Sequence, residues 1–452
     1  MLKQNTIRDA GMMLASTALV LMLPLLSGCK GSTARSSRFD SEAQEYVQLS
    51  VGLGQRDSDS LDFYSGPPAR VAMMMKHPPT LPSLRESAVR LLAKVEEIKP
   101  ERDEEKVRKS FLTRQLQAMV GRIDLVSGRP SSFDAETKAS FGVVVPASYD
   151  RAATVIAKSE LDKLLPGNGS LAERYQAFDN RFIVPAKLVP AVMARAIEAC
   201  RTETKQHIDL PAGEAVSVEY VRNKPWSAYS WYKGGFRSVV QVNMDFALTV
   251  DRIMNLACHE AYPGHHTYNS IRDAQLVQGR NLKEYSVQPT FSPQSLLSES
   301  IATLAADVAF PEQRRLELER DVLFPIAGPN GKDAQQYLKV EALVDRLHAV
   351  EPAIAREYLD GRLEFERAGA ELESAALMAH PEAALLYMNE YRSYVATYTY
   401  GRDLAAAALL RRSGGDRNSQ WKVYSQWMSV DPQMEEHSDS SKASVLPRAG
   451  GG

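Results

Sequence analysis

Apolar residues recur at helical spacing along nearly the whole of residues 39–427, and that pattern alone restricts the chain to a mainly α fold. Over 82–98 the stripe runs through Leu84, Val89, Leu91, Leu92 and Val95, and the theme resumes over 101–126 after Pro100. Long helical stretches with charge on one face are expected at 170–202 and 333–378, and an aromatic-rich helix at 387–410. One region breaks the period. Residues 216–221 (Val-Ser-Val-Glu-Tyr-Val) alternate, 227–232 read as a second strand, Lys233-Gly234-Gly235 as a turn and 237–243 as a third strand. That predicts a small antiparallel sheet just ahead of the histidine-rich segment. No linker rich in Pro, Gly and Ser divides the body, so one large helical domain is expected over 39–434, with a disordered tail over 435–452.

Composition excludes some classes. The 452 residues carry 54 basic and 56 acidic side chains, net charge -2, with no basic block in the body, which argues against a nucleic-acid partner. A mean hydropathy of -0.30 argues against a multi-span membrane protein. Three cysteines are too few for a disulfide framework, so Cys200 and Cys258, both on expected helices, read as buried thiols.

The N-terminus reads as an address. Lys3 and Arg8 precede an uncharged run over 11–26, short for a spanning helix, that ends Leu26-Ser27-Gly28-Cys29. This ending resembles the bacterial lipobox. The expected organisation is a signal peptide over 1–28, lipidation at Cys29 and a flexible tether over 29–38. Lys30 stands where a retention Asp would sit, which by resemblance favours the outer membrane, facing the periplasm, over the inner membrane.

Eight histidines occur in the chain, and three fall in His259-Glu260-Ala261-Tyr262-Pro263-Gly264-His265-His266. Phe246, Val250, Ile253, Met254, Ala257 and Ala261 make one helical stripe ahead of them, so His259 and Glu260 close a helix that Pro263-Gly264 stops. In the usual zinc-peptidase helix a second His follows one turn after the first, with a Glu as base. Here Pro263 holds that position and cannot ligate. His265 and His266 come six and seven residues on, which on an unbroken helix would be about 9 to 10.5 Å further along the axis, too far for one metal. The Pro-Gly break lets the chain fold back. His265 is the preferred ligand and His266 the alternative.

Catalytic zinc sites keep three protein ligands and an open position. Glu299 begins a segment over 299–310 that is apolar around nearly its whole circumference, and a buried carboxylate is rare unless paired or metal-bound. Glu299 is therefore the expected third ligand. The competing reading is a surface Glu at a helix N-terminus. Asp307 either orients a ligand histidine or makes a core salt bridge.

The motif resembles the signature of the bacterial family called domain of unknown function 885, grouped with gluzincin-type zinc metallopeptidases. The likeness extends over about 181–410, through Phe182-Ile183-Val184-Pro185, Cys200-Arg201, Leu210-Pro211, Lys224-Pro225-Trp226 and Trp231-Tyr232-Lys233-Gly234. It implies a large helical, zincin-like domain with a short sheet lining the active-site cleft. It also implies Zn²⁺ held by His259, a histidine after the Pro-Gly and Glu299, with Glu260 as general base. Family members often carry Glu-Gly-Trp-Ala where this chain has Glu299-Ser300-Ile301-Ala302, a departure that spares the Glu. A second family patch near the C-terminus supplies an oxyanion donor. Tyr398 matches it, with Tyr400 the alternative, although packing is the common role of a Tyr in such a run.

The reading implied is a zinc-dependent peptidase anchored to the envelope and acting on a peptide substrate. The strand over 238–243 would hold extended peptide by main-chain bonds. Arg392 or Arg402 would bind a substrate carboxylate, unless they are structural ion pairs. Rival readings are a non-catalytic binding lipoprotein and a zinc amidase acting on cell-wall peptides.

Overall fold

The computed structural model describes residues 39–429. The expectations for 1–28, Cys29, 29–38 and 435–452 lie outside the described residues. Between them the chain is mainly helical, as the periodicity predicts, with two small sheets.

Local sequence explains where the key helices start. Thr249 caps the helix Val250–Glu260, accepting from the backbone of Arg252. Ser292 caps Pro293–Ala309, accepting from Ser295 at 3.2 Å with Pro293 at the first helical position. Each cap satisfies an amide that the first turn leaves without a partner. The helix Val250–Glu260, the motif helix below, packs against Val189–Thr204 and Pro293–Ala309. Its apolar stripe (Val250, Ile253, Met254, Ala257) is fully buried in the main core, shared with Val192, Met193, Ile301 and Ala305. A second core lies under the N-terminal helices around Tyr46, Leu91 and Phe111, and a third around Phe133, Leu372 and Leu385.

Three long stretches expected as continuous helices are broken. The first divides into Leu171–Asp179 and Val189–Thr204, with Pro185 and Pro190 between and at the join. The second becomes Ala334–Leu347, Glu351–Leu359 and Phe365–Ala376. The third breaks at Arg392, whose φ of +52° is left-handed and costly for a residue with a Cβ. Glu136 holds this turn by accepting from the Arg392 Nε at 2.8 Å and from the Ser393 hydroxyl at 3.1 Å. Such tertiary bonds are invisible to periodicity.

The sheet ahead of the motif corrects the antiparallel expectation. Its strands are β2 (Ala215–Val221), β3 (Ala228–Tyr232) and β4 (Arg237–Asn243), in the order β2-β4-β3. The β3/β4 hairpin is antiparallel, but β2 runs parallel to β4. Alternation identifies strands and does not identify neighbours, and here the 222–227 connection carries the chain past the position that β4 fills. The strand expected to offer an edge to substrate, 238–243, is therefore the central one. A second sheet pairs β1 (Leu61–Tyr64) with β5 (Val287–Pro289). Strands this short carry no sequence signal.

Cys200 and Cys258 form a disulfide, with Cα atoms 5.7 Å apart, and this overturns the free-thiol expectation. They sit on two helices packed side by side, 58 residues apart in sequence. Facing registers of two distant helices cannot be read from either stripe alone.

Candidate metal centre

The motif helix ends at Glu260, and the chain then reverses. The Tyr262–Pro263 peptide is cis. The Gly264 amide donates to the Cys258 carbonyl at 3.0 Å. A Cβ on Gly264 would run into the carbonyls of His259 and Cys258, so only glycine permits so close a return. The helix His265–Arg272 starts at once. The reversal brings His265 back beside His259, ring centroids 4.7 Å apart and edge to face.

Glu299 comes from the helix Pro293–Ala309, two turns in. It is buried, so the surface reading of this residue fails. One imidazole and one carboxylate oxygen meet on each side: His259 Nε2 lies 3.4 Å from Glu299 Oε2, and His265 Nε2 lies 3.5 Å from Oε1. The three candidate ligand atoms all lie within 4.8 Å of one another. The helix can approach closely because Gly401 faces it. A Cβ there would sit 2.7 Å from a Leu296 methyl and 2.8 Å from the Ser300 hydroxyl.

His266 does not join them. Its side chain has no exposure, whereas His259 keeps 19% and His265 13% of theirs open to solvent. Its Nε2 bonds Glu214 at 2.9 Å and its Nδ1 meets the Ser238 hydroxyl at 2.8 Å. Glu214 also accepts from the Tyr262 hydroxyl and from Arg201. Burial pushes this carboxyl up, but bonds from His266, Tyr262 and Arg201 outweigh it and hold the pKa at about 2. His266 thus anchors the turn that presents His265.

Further groups orient the ligands. The Ser298 hydroxyl meets His265 Nδ1 at 3.1 Å, which leaves Nε2 for the site. Tyr394 donates to Glu299 Oε1 at 2.8 Å. Tyr394 was not picked out by sequence, because nothing in a row of tyrosines says which one turns inward. Tyr398 lies on the π-helical turn Thr397–Gly401, its ring centroid 6.4 Å from that of His259 and its hydroxyl 3.1 Å from that of Tyr387. Tyr400 packs instead against the third core.

Charge in the site is finely opposed. Burial pushes the Glu299 carboxyl up, yet the imidazoles of His265 and His259 facing it hold it well below the usual carboxylate range. His265 loses basicity by burial and regains more from Glu299, reaching about 9. Glu260 is raised, chiefly by burial, with Glu299 adding to this while His259, His265 and Arg252 oppose it. No hydrogen bond ties down the Glu260 carboxylate among the described residues. Sequence reasoning also missed Asp62 on β1, whose charge acts on the same groups. Burial lifts it to about 6, against a bond from Tyr229.

The other candidates lie elsewhere. Asp307 pairs with Arg402 at 2.8 Å, and Arg402 also meets Asp345, so Arg402 is a structural ion pair, while Asp307 makes its salt bridge at the exposed surface and not in the core. Arg392 is taken by Glu136. A separate cavity of about 580 Å³, lined by Tyr64, Arg70, Asp273 and Lys283, contains none of the site residues.

The donor set fits a divalent ion that takes nitrogen and oxygen ligands, zinc among them. Glu299 Oε2 is buried with no hydrogen-bond partner. Leaving such an atom unpaired costs about 1–3 kcal/mol or more, and a cation between the imidazoles and the carboxylate would remove that cost. His259, His265 and Glu299 would hold the ion, and the exposed side of the two histidines leaves a face for water and substrate.

No family model matches the sequence, and no curated protein matches it. Solved structures do. An inferred lipoprotein from Colwellia psychrerythraea aligns with a TM-score of 0.57 at 10% identity, covering 86% of this chain and 98% of that one. An inferred lipoprotein of unknown function from Shewanella oneidensis aligns at 0.42 and 12% identity, covering 87% and 84%. At such identity the first likeness speaks for the fold alone.

Proposed function

We propose that this chain is a zinc-dependent peptidase with a zincin-like fold, anchored to the bacterial envelope as a lipoprotein through Cys29. The observation that carries the enzymatic reading is the convergence of His259, His265 and Glu299 to within 4.8 Å of one another, with the buried Glu260 next in chain to the first of them. A binding protein has no need of an untethered acid beside its metal.

Zinc held there would polarise the scissile carbonyl and make bound water a better acid, toward a pKa of ~7. Glu260 takes a proton from the attacking water and passes it to the leaving amine as the C–N bond breaks. Hydroxyl ends on the carbonyl carbon and hydrogen on the nitrogen, so the reaction balances as hydrolysis. Tyr398 donates to the oxyanion, the kind of contact whose loss costs about 3 kcal/mol. Ser298 and Tyr394 keep the two ligands that they touch in orientation.

Two observations support the envelope placement. The disulfide belongs to an oxidising compartment such as the bacterial periplasm. The Colwellia structure of similar fold is described as a lipoprotein.

The deciding experiment is Glu260→Gln. Zinc content by elemental analysis stays at that of the parent, while hydrolysis of a peptide library drops by several orders of magnitude. Undiminished hydrolysis would remove Glu260 as base, and a parent protein that binds no zinc would remove the whole reading.

A further inference from the structure

Arg252 stands on the motif helix seven residues before His259, two turns away on the same face. Arg392, Arg402 and Arg315 are all paired with carboxylates. Arg252 is exposed to water, and among the described residues no carboxylate lies within ion-pair distance of it. Its one side-chain bond is to the Ser227 hydroxyl, at 2.7 Å from Nη2. Exposed as it is, the guanidinium sits deep among protein atoms, so burial draws its pKa down. It is near enough to Glu260 and Tyr398 for their charges to act on it. An arginine open to water, without a carboxylate partner, on the helix face that two turns later presents a metal ligand, is placed to receive an anion. Its planar fork suits a carboxylate in two-point contact.

We propose that Arg252, with Ser227 beside it, binds the terminal carboxylate of the substrate, so that the enzyme trims peptides from the C-terminus. This rests on the peptidase reading above. Two helical turns span about 10.5 Å at 1.5 Å per residue, which extended peptide covers in about three residues at ~3.3 Å each. The fragment released is therefore at most about three residues long. Hydrolysis here is the same addition of water across the C–N bond, and Arg252 and Ser227 select which bond lies at the metal.

The test pairs binding with cleavage. Zinc-loaded Glu260→Gln protein is titrated calorimetrically with random-sequence pentapeptides as free acids, as C-terminal amides, and as amides carrying Glu at the last position. The free acids bind at least tenfold more tightly than the amides. In Glu260→Gln combined with Arg252→Met that preference vanishes, and with Arg252→Lys it returns in part. In the parent enzyme, mass spectrometry finds one to three residues removed from free acids and little cleavage of amides. Equal binding of acids and amides, or a preference that survives Arg252→Met, overturns the assignment. A preference met equally by the Glu side chain overturns C-terminal trimming. Cleavage of acids and amides alike, at internal bonds, would sink this inference and leave the zinc peptidase standing. Zinc without any cleavage would sink the peptidase reading, and with it the trimming.

Discussion

The two ends of the motif helix each gather buried ionisable groups, and they handle the charge in opposite ways. At the N-terminal end Asp251 lies against Arg315, which also reaches Glu319 at 3.1 Å and Asn255 at 2.9 Å. Asp179 and Glu341 add their charges to the same cluster. One cation faces four carboxylates, and Glu319 among them is fully buried. Burial, helped by Asp251, pushes Glu319 up to about 8 and Glu341 well above its ordinary value. At the C-terminal end Glu299 is buried as deeply, but two imidazoles face it and water reaches them, so its carboxyl goes down instead. The same residue type is thus a stored proton in one place and a standing anion in the other. Among the described residues the ligand geometry for a metal occurs only at the open end.

The contrast can be broken most forcefully at Glu299. Glu299→Ala should weaken zinc binding by on the order of a thousandfold, about one ligand's share of a typical site, whereas Glu319→Ala should leave it unchanged. A competition titration with a chelating dye measures both, and equal losses would erase the distinction. Tyr398→Phe comes next. A drop of about a hundredfold in kcat with KM and zinc content held would mark a donor that acts in the transition state, and Tyr400→Phe should do nothing. If Tyr400→Phe carries the loss, the two tyrosines exchange roles.

The smallest effect is at the N-terminal end. Because the folded state raises the Glu319 pKa from 4.5 to about 8, its contribution is fully present below the lower value and is lost as pH rises through the higher one. The loss is at most about 1.4 kcal/mol per pH unit for one proton. Urea midpoints of the parent should fall across that window, and Glu319→Gln should flatten the fall. A variant with the parent's slope would mean that the proton resides elsewhere in the cluster.

How much of this was legible in the sequence follows from how local each signal is. The mainly helical character, the stop at Pro263-Gly264 and the position of His259 and Glu260 at a helix end are written in neighbouring residues, and they stand in the structure as expected, whereas the breaks in the three longest stretches were not legible. Glu299 was legible because a charge in an apolar run needs a reason. The choice between His265 and His266 was not, since it depends on Glu214 and Ser238, distant in sequence. The parallel pairing of β2 with β4, the disulfide, and the inward turn of Tyr394 likewise depend on long-range contacts. Arg252 carried no signal at all, because an unpaired arginine is recognised only when every possible partner has a position.

The reversal at Gly264 has a consequence for how such centres are found. Pattern searches built on two histidines one turn apart pass over a chain that closes the gap by doubling back. The better query is a helix-final His-Glu, then a proline and a glycine with no room for a methyl group, then an imidazole. Screening uncharacterised helical sequences for that order would gather candidates that share this geometry whatever their overall identity.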